Sequence, residues 1–424
     1  MSSPSGMGVS RRTFLGGVAA LPLAALLEVE PLFAGSTPPR IVVIGAGAFG
    51  GWTALHLRGL GAEVTLVDAW GPGNTRSSSG GETRVIRAIY GPDRIYVEMV
   101  KRAFDLWAKI DSSTGEPLYV ETGVLWMHRG DDAYVRSSAP ILEELGFPLD
   151  KLTLADAARR YPQIDFKGVK SVWFERRGGA LSARRACVVV RDAFEKAGGT
   201  FRIAEAKPGS IADGAMADVR LGDGSRLEAD AYVFACGPWL GKVFPDVVGD
   251  AVRPTRQEVY YFGTPRGSER YMPPHFPVWI DFGERIIYGI PDTHRRGFKF
   301  ADDTRGEVFD PTSGERTPTP QKIERARHFL AERFPEMAKA PLIAAEVCQY
   351  ENSPDGHLIV DRHPHARNVW LLGGGSGHGF KLSPVVGQMA AEAIVAGKEL
   401  PKMFGMDRLG KIAKPSTQFE PKQG

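Results

Sequence analysis

Ile41-Val42-Val43-Ile44-Gly45-Ala46-Gly47-Ala48-Phe49-Gly50 decides how this chain folds. Four β-branched residues, the composition of a buried strand, open into Gly-x-Gly-x-x-Gly, and Gly51-Trp52-Thr53-Ala54-Leu55-His56-Leu57 continues as a helix. Gly45 permits the tight turn out of the strand, Gly47 lets the backbone approach a pyrophosphate, and Gly50 lets the helix pack on the sheet. The helix N-terminus then faces the phosphates with unpaired N–H groups and the positive end of its dipole. The next strand, Glu63-Val64-Thr65-Leu66-Val67, ends in Asp68, an acid placed to hydrogen-bond a ribose hydroxyl. Strand, turn, helix, strand and acid in this order read as a dinucleotide-binding unit. The stretch alone leaves NAD and FAD both open.

Upstream, Ser10-Arg11-Arg12-Thr13-Phe14-Leu15 precedes an apolar run from Gly16 to Leu27, and Leu32-Phe33-Ala34 offers a small-residue end. That layout is a secretory signal, and paired arginines followed by Phe-Leu resemble the twin-arginine type. The apolar run is shorter than the roughly 20 residues that span a bilayer, so no stable membrane insertion is expected. The twin-arginine export machinery carries folded proteins, which suits a chain that must acquire a cofactor first. A bacterial periplasmic or exported protein is predicted, with residues 1–36 set aside from the fold.

The whole chain has 424 residues, enough for about two domains. Its 53 basic and 50 acidic residues leave a net charge of +3, which argues against nucleic acid as a partner. Cys187, Cys236 and Cys348 show no metal-binding spacing, so no metal site is expected, and an odd count excludes a complete disulfide framework.

Downstream of Asp68, a Gly/Ser-rich loop over 71–81 leads into Glu82-Thr83-Arg84-Val85-Ile86-Arg87. Arg84 and Arg87 would share one face of a helical turn and offer forked donors to carboxylate or phosphate, although solvated surface charge explains them equally well. The pattern predicts a helix over 96–110, whose Tyr96, Phe104 and Trp107 read as core, and a strand over 120–127. A short helix over 140–145 would hold Pro140 in its first turn. Gly179-Ala180-Leu181-Ser182 would cap a helix over 183–196 that buries Cys187 as an inert thiol, and a short apolar strand over 231–238, ending in small residues, would return to the dinucleotide sheet. From Val252 the period becomes two, with strands at 258–262, 278–280 and 285–289, before a helix over 319–334.

The expected fold is α/β (α+β overall): a Rossmann-type dinucleotide domain interleaved with an antiparallel-sheet substrate domain. The first occupies 37–122, 179–250 and 341–400, the second 123–178 and 251–340, and 401–424 form a loose tail.

A second informative region comprises Glu346-Val347-Cys348-Gln349-Tyr350, Gly356-His357-Leu358-Ile359-Val360-Asp361 and Val369-Trp370-Leu371-Leu372-Gly373-Gly374-Gly375-Ser376-Gly377-His378-Gly379-Phe380-Lys381. The last again runs from strand into glycines, so that the backbone around Gly375 and Gly377 can aim N–H groups at a cofactor. With the fingerprint and the stretches 81–91, 252–257 and 288–299, these motifs resemble the D-amino-acid-oxidase-like flavoprotein superfamily, and within it the monomeric sarcosine oxidase and N-methyltryptophan oxidase group. The resemblance covers about residues 39–397.

The resemblance implies FAD rather than NAD, bonded covalently through Cys348. It places Lys299 over the flavin ring to assist reaction with O2 and Arg84 beside the ring. It makes Arg87 and Lys381 a clamp for a substrate carboxylate, and sets Tyr288, Tyr350 and His378 around the substrate. It implies a monomeric oxidase that takes a secondary-amine or N-methyl amino acid, reduces O2 to H2O2 and delivers hydride to the flavin. A dehydrogenase passing electrons to a quinone is the alternative. One position departs from the group: four residues after the lysine, where a histidine is usual, this chain has Asp303. The substrate's identity is therefore left open.

Overall fold

The computed structural model describes residues 37–411. The strand Arg40–Ile44 lies inside a six-stranded sheet, parallel to Glu63–Asp68 on one side and to Ala231–Phe234 on the other. Its apolar residues are buried, as a parallel strand covered on both faces requires. Thr200–Ile203 extends the sheet at one end and Val369–Gly373 at the other, both parallel, and Ile359–Arg362 closes it antiparallel. The helices Ala48–Gly59 and Ser383–Ala396 pack against each other, with Ala183–Lys196 and Arg94–Thr114 alongside. On the opposite face Met216, Val219 and Leu221 bury against Val42, Ile44 and Tyr232.

The second unit is an eight-stranded sheet in the order Leu342–Asn352, Arg253–Phe262, Phe298–Asp302, Ile286–Ile290, Val278–Phe282, Val124–His128, Ser171–Glu175 and Leu149–Leu152. All neighbours are antiparallel except Val124–His128 with Val278–Phe282. A small sheet of Thr83–Ile86, Gly179–Ser182 and Tyr119–Glu121 lies between the two units, its first strand touching both Ile286–Ile290 and the turn Phe380–Leu382.

Several local expectations change. The arginine-bearing segment is a strand, paired with Gly179–Ser182, so Arg84 and Arg87 do not share a helical face. Gly179–Ser182 is itself a strand, and the Ser182 side chain makes no capping bond to the helix that follows. The strand expected over 120–127 is broken at Gly123, whose φ of +71° ends pairing in one sheet and starts it in another. The helix expected at 140–145 begins at Ala133, and Pro140 lies in its interior. Leu342–Asn352, expected to open the third part of the dinucleotide unit, pairs from Phe262 to Arg253 in the antiparallel sheet, so the chain returns only beyond it. The first part of the expected tail is docked: Phe404 is buried, and Arg408 donates to Asp355 at 2.7 Å. The routing segment 1–36 and residues 412–424 lie outside the described residues.

Candidate active site

The fingerprint turn is shaped by close backbone approach. Gly45 has φ +104°, and a Cβ there would stand 2.3 Å from the Ala235 carbonyl oxygen. Asp68 holds the turn through one carboxylate oxygen, which accepts from Ala46 N–H at 2.7 Å, while the other accepts from Trp70 and Gly71 N–H at 2.8 Å each. Burial raises its pKa despite those donors. Oδ2, with a single donor, retains a lone pair for a ribose hydroxyl, whereas the two donors on Oδ1 occupy both of its own.

From this turn a cavity of about 720 Å³ runs past Ser78, Arg84, Tyr350 and Glu351 to Gly375 and Gly377. Two lining residues carry buried polar atoms that lack a partner among the described residues, Ser78 Oγ and Glu351 Oε1. Buried orphans of this kind point to a polar ligand. Trp70 and Trp239, ring centroids 5.0 Å apart, line the same cavity and offer flat surfaces to a planar ring. Glycine fingerprint, orphaned polar atoms and aromatic pair together fit a dinucleotide.

Arg84 reaches this cavity. Its Nη1 donates to Thr83 O at 2.8 Å, and Nη2 donates to Ser78 O at 2.6 Å and contacts Cys348 Sγ at 3.4 Å. A Cβ at Gly81 would meet the guanidinium at 2.6 Å, so the small residue makes its room. Lys299, on a strand hydrogen-bonded on both sides, is 1% exposed and donates from Nζ to the same Thr83 carbonyl at 2.8 Å. Burial, with Arg84 beside it, pulls its ammonium down to about 7.

A second pair of cations is buried around the Tyr90 ring. Arg87 donates to Ile89 O, its guanidinium 4.6 Å from the Tyr90 ring centroid and 5.5 Å from that of Trp126. Lys381 Nζ is 5.2 Å from the same Tyr90 ring and donates to His378 O at 2.9 Å. Burial, then the charge of Arg87, lowers the Lys381 pKa well below its ordinary value. Its backbone is fixed by Trp107, whose Nε1 donates to Lys381 O at 3.0 Å. Glu175, which accepts from Ala88 N–H, is pushed by burial up to about 7.

His378 is pinned at both ring nitrogens. Nε2 lies 2.9 Å from Gly356 O and must carry the proton, since a carbonyl only accepts; Nδ1 then accepts from Tyr90 OH at 3.2 Å. Burial keeps the ring neutral. In this arrangement His378 positions Tyr90 and the turn carrying Lys381, with no nitrogen left for proton transfer to a ligand.

Tyr288 faces Lys299 across 5.6 Å. Tyr350 packs over Gly377, where a Cβ would come within 2.8 Å of its ring, and its hydroxyl donates to Asp303 at 2.6 Å. Asp303 keeps part of its surface accessible, yet burial still raises its carboxyl to about 6, against the Tyr350 bond and the charge of Arg87. Fingerprint glycines, Cys348, both cation pairs and both tyrosines thus converge on one region.

Residues 40–393 match the sequence profile of DAO, FAD dependent oxidoreductase. The chain is a member of this FAD dependent oxidoreductase family. It is 30% identical over 375 residues to the monomeric sarcosine oxidase of Bacillus sp. (strain B-0618), covering 86% of this chain and 94% of that protein. The N-methyl-L-tryptophan oxidase of Salmonella arizonae is 26% identical, over 83% of this chain and 93% of its own. In fold it is similar to the L-proline dehydrogenase of P. horikoshii, with TM-score 0.77 and 22% identity, covering 88% of this chain and 98% of that one. FAD is therefore the dinucleotide, and the chain is a flavin-dependent oxidoreductase.

The residues that reading the sequence missed are Glu351 and Tyr90. Burial pushes the Glu351 carboxyl up to about 8, so it is mostly protonated at neutral pH and can donate a hydrogen bond into the FAD cavity. A Cβ at Gly373 would stand 2.3 Å from its Oε1. An acid in the second position after Gln349, inside a strand and upstream of a Gly-rich turn, was the only signal available.

Proposed function

We propose that the protein is an amine oxidase that takes an amino acid with a secondary or N-methylated amine and releases an imine, which water hydrolyses. FAD, once bound, would supply the redox chemistry, a two-electron acceptor for the substrate's hydride and donor to O2, which becomes H2O2. Arg87 and Lys381 hold the substrate carboxylate, which fixes where the reacting C–H lies. Arg84 and Lys299 place positive charge where negative charge develops during electron transfer. Tyr288 and Tyr350 wall the substrate space, and His378 keeps the Lys381 turn in place. The names of the relatives, sarcosine oxidase and N-methyl-L-tryptophan oxidase, support the substrate class.

The observation that carries this reading is the double use of the Thr83 carbonyl by Arg84 and Lys299 beside the FAD cavity. Mixing the flavoprotein anaerobically with a panel of N-alkyl and cyclic amino acids tests it. Bleaching of the flavin absorbance by at least one of them is expected; a flavin that stays oxidised with all of them would overturn it. A quinone-coupled dehydrogenase would bleach equally but form no H2O2 on admitting air.

The Cys348 thiol is the attachment point for the flavin in this proposal, supported by its place beside Arg84 and Ser78, both of which line the cavity. The protein acts as a monomer, is exported by the twin-arginine route and works in the periplasm or outside the cell. Replacing Arg11 and Arg12 by lysine should leave it in the cytoplasmic fraction, and unchanged export would remove that part of the proposal.

A further inference from the structure

The carboxylate clamp accounts for one end of an amino acid and leaves the other without a partner. Four buried or half-buried cations, Arg84, Arg87, Lys299 and Lys381, surround the substrate region. A protonated amine brought among them is repelled unless an acid stands close by. Among the described residues, three carboxylates act on the two lysines. Glu175 is engaged by the Ala88 backbone, and Glu346 lies 3.8 Å from Arg184 on the flank. The third is Asp303, which follows the strand carrying Lys299 and accepts from Tyr350, a residue of the cavity wall.

The groups facing Asp303 come from every neighbouring element. Tyr350 donates to Oδ1 from the strand Leu342–Asn352, and Tyr288 feels the carboxylate from Ile286–Ile290. Lys299 feels it from its own strand, Arg87 and Lys381 act on it from the clamp, and Asp302 adjoins it in sequence. One oxygen is thus oriented by a phenol, and a carboxylate has a second oxygen for another donor. With its carboxyl raised only to about 6, it is ionised at the neutral pH at which an amino acid is a zwitterion.

We infer that Asp303 is the partner of the substrate's ammonium group, so that the site recognises a zwitterionic amino acid at both ends, carboxylate on Arg87 and Lys381 and amine on Asp303. This rests on the amine-oxidase reading and narrows it. Carboxylates without an amine lack the second contact, and amines without a carboxylate lack the first. The residue differs from the histidine usual at this position in the group the chain resembles, and a fixed negative charge there favours a cationic nitrogen over a neutral one. Tyr350 is then a positioning residue, holding the carboxylate from behind.

Two unreactive probes of nearly equal shape separate charge from fit: glycine betaine, (CH3)3N⁺–CH2–COO⁻, and 3,3-dimethylbutanoate, in which carbon replaces the nitrogen. Each is titrated into the oxidised flavoprotein, with the perturbation of the flavin absorbance giving Kd. The wild-type protein should bind betaine about tenfold or more tightly than its neutral isostere. Asp303→Asn should bring the ratio to about one or below while dimethylbutanoate holds or tightens, since a negative charge has gone. If the Asn variant does not retain flavin, Asp303→His makes the same comparison. A wild-type ratio near one, or a ratio that survives the loss of the carboxylate, would overturn the inference. The probes need no turnover, so an enzyme that oxidises no amine would refute the amine-oxidase reading while the ratio still decides the role of Asp303.

Discussion

Lys299 Nζ and Arg84 Nη1 donate to the same backbone carbonyl, that of Thr83, each at 2.8 Å. Two cations on one acceptor repel each other, and the depression of Lys299 to about 7 follows from burial first and from Arg84 second. The arrangement is costly for the folded chain unless negative charge arrives between them. A flavin held beside the pair, gaining negative charge on reduction, would meet that condition.

Arg87→Met should act on substrate binding more than on chemistry. Loss of a charge-assisted bond to a carboxylate costs about 1.5–3 kcal/mol, or about 10- to 150-fold, read as a rise in KM. Arg87→Lys should fall between, because it keeps the charge and loses the fork. Steady-state kinetics with the best amine found in screening checks this, and an unchanged KM in the Met variant would remove Arg87 from the clamp.

Cys348→Ser should leave FAD bound but release it into the supernatant on acid precipitation, whereas the parent protein should precipitate yellow. Flavin that stays with the Ser variant would place the covalent bond elsewhere. Flavin released from the parent would show that Cys348 forms none.

Glu351 gives a pH signature. Its folded-state carboxyl is raised to about 8 from an ordinary 4.5, so the folded protein binds the extra proton between those values. The stability this contributes is fully present below about 4.5 and is lost as pH rises through about 8. Glu351→Gln should abolish that loss. Urea midpoints of flavin-free protein at pH 5 and pH 8.5 should show the variant gaining on the parent at the higher pH; a constant difference would contradict the assignment.

Much of the dinucleotide half was legible because its signals are local: β-branched strand, glycine turn, helix and terminal acid follow one another within 28 residues, from Ile41 to Asp68. The arginine segment was misread as helical because its strand character depends on Gly179–Ser182, nearly a hundred positions away. The break at Gly123 is a conformational choice that composition does not reveal. Lys299, Arg84 and Cys348 became candidates through resemblance, since only long-range pairing brings Thr83 under Lys299 and Cys348 beside Arg84. The signal of Glu351, an acid in a strand before a Gly-rich turn, is weak because such an acid ordinarily faces solvent, and only its burial against Gly373 shows otherwise. Asp303 stood out as a departure, but its role emerged from the Tyr350 bond and the cations around it.

The most direct test of the account is the reaction of the reduced flavoprotein with O2, followed by stopped-flow absorbance in the parent and in Lys299→Met. The account predicts fast reoxidation with one H2O2 formed per amine consumed in the parent. In the variant it predicts a second-order rate lower by about 10²–10³-fold, the size expected for one preorganised charge, with flavin reduction by the amine retained. A variant that reoxidises at the parental rate, or a parent that forms no H2O2, would contradict it.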